Sequence, residues 1–234
     1  QGRLDIAMTK NINIFDSEFM HAGSWRMAGL RCGVRDPDFF NEHITDTNSV
    51  SYERNNLVWD GITLYTDRHY WDVLRVKSTY NVALLSESPV VWKGLNTDAY
   101  YSLPNLENYF DFIFTFDKKL LERDPKKYKF IPADWVCVEP QSFGSSEKSK
   151  LVSMIYSDKI EADRSLRHTV GEKFPEKIDL FGSGSPNGEI SQKSDTLKDY
   201  MFSISMENCI NDYYYTEKIL DCFITNNIPI FRGT

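Results

Sequence analysis

The chain has 234 residues, enough for one large domain or two modest ones, and its 41% hydrophobic and 26% charged residues are those of a folded protein with a sizeable core. Lys and Arg number 27 against 34 Asp and Glu, a formal net charge of −7, which argues against the broad basic surface of a non-specific nucleic-acid binder. One local cationic pocket remains compatible with that balance. Cys32, Cys137, Cys209 and Cys222 have no CxxC spacing, so neither a zinc site nor a disulfide framework is expected, and the thiols read as reduced. No apolar stretch reaches the roughly 18 to 20 residues of a membrane span. Neither a signal-peptide pattern nor an Asn-x-Ser/Thr sequon is present. The expectation is a cytoplasmic protein, at most peripheral to a membrane, rather than one of the Golgi lumen. Gln1 at the start and Ile-Phe-Arg-Gly-Thr at the end read as the limits of a fragment.

In chain order, strands are expected at 62–66 and 80–85, separated by a helical segment, Tyr70-Trp71-Asp72-Val73-Leu74. The run 110–116 reads as a mostly buried strand, and the charged stretch 117–129 as a helix and loop. Residues 139–150 collect turn formers and charges without apolar periodicity, the composition of a linker, so a boundary is placed there between domains 1–140 and 150–234. Beyond it come an apolar run at 151–156, a polar helical stretch at 163–173, a strand at 178–182 and a polar insert rich in Gly and Ser. A strand at 200–206, a helix at 216–226 and a short strand at 228–231 follow. Strands alternating with helices imply βαβ crossovers, an α/β fold with a parallel sheet, and ligands beyond the carboxyl ends of the strands.

The helix after Tyr215 is the most informative segment. Ile219, Leu220, Phe223 and Ile224 recur at helical spacing and are expected to form its buried face, with Glu217, Lys218 and Asp221 on the other side. Thr216 suits the N-cap. Residues 207–215 leave a strand and enter this helix, so the helix N–H groups, its dipole and Lys218 together make an anion site suited to a diphosphate.

Three segments resemble the donor-site signature of the family 10 glycosyltransferases, best known as α-1,3/1,4-fucosyltransferases that use GDP-fucose. They are Phe202-Ser203-Ile204-Ser205-Met206-Glu207-Asn208, then Tyr214-Tyr215-Thr216-Glu217-Lys218, and Ile228-Pro229-Ile230-Phe231-Arg232-Gly233. Upstream, 150–157 leading to Arg164 is similar to the family's strand, loop and arginine, with Asp158 in place of an Asn. Phe130-Ile131-Pro132 is similar to the approach to its second domain, and Leu84-Leu85-Ser86-Glu87 with 110–117 to its first-domain glutamate and following strand. Cys209-Ile210-Asn211-Asp212 and Arg232 depart from the family pattern, and its further C-terminal segment is not matched.

The resemblance implies a GT-B fold of two Rossmann-like domains, with an acceptor side, a nucleotide-sugar side and the reaction in the cleft between them. By matching position, Arg164 and Lys218 would neutralise the donor's diphosphate, Asn208 and Glu217 would hold ribose and sugar hydroxyls, and Tyr214 would pack near the nucleotide. Glu87 would be the general base of an inverting transfer from a GDP-sugar to a hydroxyl of a glycan acceptor. Arg167 competes with Arg164 for the cationic role, Glu217 also complements its helix dipole, and Glu87 also reads as a loop residue, with Glu53 or Asp67 as other carboxylates. No metal site is expected: Asp36-Pro37-Asp38 reads as a loop, and His21, His43, His69 and His168 lack ligand spacing. Transfer would then require no cofactor, with Mn²⁺ or Mg²⁺ at most stimulatory. Two other classes remain, a nucleotide-sugar binder without turnover and a carbohydrate-binding module.

Overall fold

The computed structural model describes residues 11–15, 51–88, 104–132, 138, 142–144, 147–155, 165–186, 188, 190 and 192–233. The chain divides into two compact units, Gln1–Ala133 and Asp134–Thr234. Arg164, Cys32, Cys137, Asp36, Asp38, His21 and His43 lie outside the described residues.

The first unit is built on a six-stranded sheet of order β2-β1-β3-β4-β5-β6, every neighbouring pair parallel. Its strands are β1 Asn11–Phe15, β2 Ser51–Arg54, β3 Val58–Thr66, β4 Lys77–Leu85, β5 Phe112–Thr115 and β6 Tyr128–Phe130. Along β3, Gly61, Thr63 and Tyr65 are buried while Ile62 and Leu64 are less so, the period-2 alternation of a strand packed more tightly on one face. The core gathers Phe15, Tyr65, Tyr70, Leu85, Phe110 and Ile113, with the Tyr70 and Phe110 rings 4.4 Å apart. Between β3 and β4 the segment Asp67–Leu74 winds as 3₁₀ helix and buries Tyr70 and Val73 against this core.

Three strands of this sheet, β1, β2 and β6, escape a reading of the sequence. Strands rarely carry asparagine, yet Asn13 in β1 is fully buried and satisfied. Its amide donates to Thr63 Oγ1 at 3.2 Å and to the Asn56 carbonyl at 2.9 Å, and accepts from the Asn56 N–H at 3.1 Å. The charged stretch after Asp117 holds helix α2, Lys118–Arg123, after the short α1, Pro104–Glu107. Asp117 caps α2 by accepting from the N–H groups of Lys119 and Leu120 at 2.9 and 3.2 Å. What was expected to be loop after α2 includes β6, where buried Tyr128 hydrogen-bonds Glu107 through its hydroxyl. Flanking lysines hide this strand's one apolar anchor.

The second unit has a four-stranded sheet of order β10-β9-β7-β8, again all parallel. Its strands are β7 Lys150–Ile155, β8 Asp179–Phe181, β9 Tyr200–Met206 and β10 Ile228–Arg232. Helix α3, Ser165–Lys173, links β7 to β8, and helix α4, Glu217–Ile224, links β9 to β10. Gly171 lets α3 approach the sheet: a Cβ there would lie 3.2 Å from Leu180 Cδ1 and 3.5 Å from Met154 Cε.

The second unit takes in chain ahead of the 139–150 segment. Val138 is buried with Leu197 and Cys222, its N–H donates to Asp221 Oδ1 at 3.2 Å, and the Gly144 N–H donates to the Ile224 carbonyl. At the same end of α4, Lys148 Nζ donates to the carbonyls of Lys198 and Thr225 at 2.9 and 2.7 Å. Burial there lowers the lysine's pKa.

Candidate functional site

In the second sheet the chain steps outward from β7 in both directions, to β8 on one side and to β9 and then β10 on the other. Open parallel sheets bind ligands beyond the strand carboxyl ends at such a reversal of order, here the ends of β7 and β9. β9 finishes at Met206, and Glu207, Asn208 and the loop to Thr216 follow it into α4.

Glu207 organises this loop. Its residue is 1% exposed, and its carboxylate accepts the Thr216 N–H at 2.8 Å, the Thr216 hydroxyl at 2.9 to 3.0 Å and Lys218 Nζ at 3.1 Å. The Glu207 N–H donates to the Arg232 carbonyl, tying the end of β9 to the end of β10. Thr216 then serves twice: its hydroxyl accepts Lys218 Nζ at 2.6 Å, and it caps α4 by accepting the Lys218 N–H at 3.5 Å. A buried carboxylate is tolerated because hydrogen-bond donors and an ammonium surround it.

A second lysine joins from the 3₁₀ segment Lys193–Thr196. Lys193 Nζ lies 2.6 Å from Asp221 Oδ2 and 3.4 Å from Glu217 Oε1, and Glu217 Oε1 is also 3.7 Å from Lys218 Nζ. Glu207, Lys218, Glu217, Lys193 and Asp221 thus form one continuous chain of alternating charge along the first two turns of α4. Lys193 sits in the polar insert and carries no local signal of this role, because only tertiary folding brings it to α4.

The buried face of α4 also differs from the expected one. Asp221 and Cys222 are its buried residues, whereas Phe223 is 56% exposed and Ile219, Leu220 and Ile224 are half-buried. Asp221 is admitted to the interior because Lys193 and the Val138 N–H neutralise it, so the helix presents a polar stripe inward. Cys222 packs beneath Ser205 Oγ at 3.1 Å, and burial pushes its thiol pKa up.

On the other side of the β9 terminus, Arg167 of α3 donates to the Met206 carbonyl and to Asn208 Oδ1, the latter at 2.9 Å. The guanidinium therefore bridges the crossover that follows β7 to the end of β9, across the reversal of strand order. It also turns the Asn208 amide NH₂ away from itself. Arg164, the arginine expected for the cationic role, lies outside the described residues; Arg167, the alternative, bonds Asn208.

At the start of α4 Lys218 meets both Glu217 and Glu207, the residue preceding Asn208, and Tyr214 is fully buried. The neighbouring Tyr213 is 50% exposed and held at φ +67°, and Tyr215 is half-buried, so these two rings present more surface. Among the described residues, no cluster of three or more His, Cys, Asp and Glu is placed to hold a metal ion. No helix among them is long and apolar enough to cross a membrane.

Glu87 belongs to the first unit and lies two residues past the end of β4. Its N–H donates to Asp67 Oδ1 at 2.9 Å, as does the Ser86 N–H, and the Ser86 hydroxyl donates to Asp67 Oδ2 at 3.1 Å. Burial of its carboxyl, then the nearby Glu87 carboxylate, push the pKa of Asp67 up to about 7 against the pull of these hydrogen bonds. Glu53, the other carboxylate considered, is the partner of Asn11 and Asn56 at the exposed edge by β2.

Residues 145–234 match the family model described as glycosyltransferase family 10 (fucosyltransferase), C-terminal. The fold matches crystal structures of an α1,3-fucosyltransferase, among them complexes with GDP and with GDP-fucose. With GDP, the TM-score is 0.55 at 14% identity over 100% of this chain and 72% of the other. For a second α1,3-fucosyltransferase crystal structure the values are 0.55 and 14%, over 100% and 71%. With GDP-fucose they are 0.52 and 15%, over 96% and 68%. No curated protein matches the chain significantly in sequence. The two Rossmann-like parallel units are thus a fold of GT-B type.

Proposed function

With the C-terminal domain of glycosyltransferase family 10 carried over residues 145–234, we propose that the chain binds a GDP-sugar, GDP-fucose in the first instance, and transfers its sugar to a hydroxyl of a glycan acceptor with inversion. One observation carries the reading: inside the matched region, Arg167, Asn208, Glu217 and Lys218 gather where β9 ends and α4 begins. The solved neighbours that share this fold include complexes with GDP and with GDP-fucose.

The chemistry suits these groups. Cleaving the bond between the anomeric carbon and the diphosphate leaves negative charge on the departing phosphate, which ammonium and guanidinium groups and the N–H groups of a helix start stabilise. Lys218 and Lys193 are held by carboxylates, and a diphosphate arriving at the helix start would share their ammonium groups without moving the helix. Arg167 orients Asn208, whose amide then offers NH₂ to a sugar or ribose hydroxyl. Attack by the acceptor oxygen requires a base, and Glu87 is the carboxylate proposed for it. Arg164 remains a proposed second cation.

The test is calorimetry of GDP, UDP and GDP-fucose with the whole chain, followed by transfer of labelled fucose to an oligosaccharide panel. GDP binding in preference to UDP, with label transferred, is the expected result. Binding without transfer would leave a nucleotide-sugar binder, and no binding of any nucleotide would overturn the reading.

A further inference from the structure

We propose that Asp67 is the positioning residue for Glu87: its carboxylate, at the end of β3, holds the backbone of Ser86 and Glu87 and so sets where the Glu87 side chain leaves β4. The inference rests on the reading of Glu87 as the acceptor-side base.

Three observations converge on it. Asp67 accepts three hydrogen bonds from two consecutive residues, the N–H groups of Ser86 and Glu87 at 2.9 Å each and the Ser86 hydroxyl at 3.1 Å. Those N–H groups stand just past the last residue of β4, where the ladder no longer supplies an acceptor. The Thr66↔Leu84 pairing places the two strand ends side by side, so the contact spans adjacent strands and not a local turn.

The third observation is the backbone of Asp67 itself. It stands at φ +44°, a left-handed conformation costly for most side chains and tolerated best by Gly, Asn and Asp. This turn lifts the carboxylate off the line of β3 and aims it across to the 86–87 backbone, while Tyr70 and Val73, a few residues on, are locked in the core. The Thr66 hydroxyl, donating to the Phe15 carbonyl at 3.1 Å, fixes the residue before the turn. A side chain anchored on both flanks and bonded to the backbone of a base has the geometry needed to hold it, and misplacing a reacting group by about 1 Å costs on the order of 10²-fold in rate.

The conformation supplies a clean pair of variants. Asp67→Gly keeps the positive φ without strain and removes the acceptor; Asp67→Asn keeps both the conformation and an oxygen for the two N–H groups. In the whole chain, with GDP-fucose as donor, D67G is expected to lower kcat by about 10²-fold while the donor KM stays near wild type. D67N restores most of that loss. Amide hydrogen exchange gives a readout separate from turnover: protection at Ser86 and Glu87 falls in D67G and is retained in D67N. Wild-type kcat in D67G, or unchanged protection there, overturns the positioning role. Loss of kcat in D67N as severe as in D67G also overturns it, since the charge and not the placement would then matter. Glu87→Gln runs alongside: if E87Q keeps wild-type kcat, the base reading fails and the positioning role falls with it. If E87Q is inactive and D67G is not, the base reading stands and only the inference about Asp67 is lost.

Discussion

Lys218 holds its ammonium 3.1 Å from the carboxylate of Glu207, a residue only 1% exposed, so one of the cations proposed for the donor is at the same time the counter-ion of a buried acid. Removing one partner of a buried pair strands the other and costs about 3 to 5 kcal/mol, whereas removing both leaves no orphan. Lys218→Ala is therefore expected to lower stability by that order as well as to weaken GDP binding. The double variant Glu207→Gln/Lys218→Ala should be less destabilised than the sum of the two single changes, as read by urea unfolding in a double-mutant cycle. Strict additivity would mean that the two side chains are not coupled.

Arg167 reaches from α3 to Asn208, and its loss removes both a cation and the partner that orients the Asn208 amide. A charge-assisted hydrogen bond is worth about 1.5 to 3 kcal/mol, so Arg167→Ala should weaken GDP by roughly tenfold or more. Calorimetry on Arg164→Ala alongside it ranks the two arginines. An unchanged GDP affinity in Arg167→Ala would remove Arg167 from the donor site.

Lys193 neutralises Asp221, which is fully buried in α4. Lys193→Met should reduce stability by about 3 to 5 kcal/mol because it leaves that carboxylate with only the Val138 N–H among these two partners. Replacing Asp221 by Asn in the same background should recover part of the loss. Thermal unfolding of the single and double variants checks this, and a single variant as stable as the wild type would contradict it.

The carboxyl of Asp67 is expected to make stability depend on pH. Its pKa is raised from 3.8 to about 7, by burial first and by the Glu87 carboxylate second, so the folded chain holds a proton that the unfolded chain releases. The resulting stabilisation is complete below pH 3.8 and is lost as the pH rises through about 7. Asp67→Asn cannot titrate. Between pH 5 and pH 8, the wild type should lose stability relative to this variant when both are unfolded in urea, and parallel curves would refute the assignment.

Three cationic side chains and the N-terminus of α4 gather at the end of β9, so stabilisation of the leaving diphosphate is proposed to need no divalent ion. Transfer from GDP-fucose should persist in EDTA, with Mn²⁺ or Mg²⁺ raising the rate modestly at most. Complete loss in EDTA, with recovery on adding metal, would overturn this.

Segments whose own residues state their environment were readable from the chain alone. β9 runs over the expected residues 200–206, and α4 and β10 stand within a few residues of expectation because helical spacing, a Thr cap and short apolar runs are local signals. The strand ends that bear Glu87 and Glu207 followed from the same patterns. Partners distant in sequence were not legible. β1 depends on Asn13 meeting Asn56 and Thr63, and the inward stripe of α4 depends on Lys193 and Val138 reaching Asp221. Arg167 meets Asn208 only because α3 follows β7, the neighbour of β9, and Asp67 meets Glu87 only because β3 and β4 lie side by side. Periodicity reports which face of an element is apolar, but a buried polar group is stabilised or not according to the partner the fold delivers to it, and that partner is a property of the tertiary structure.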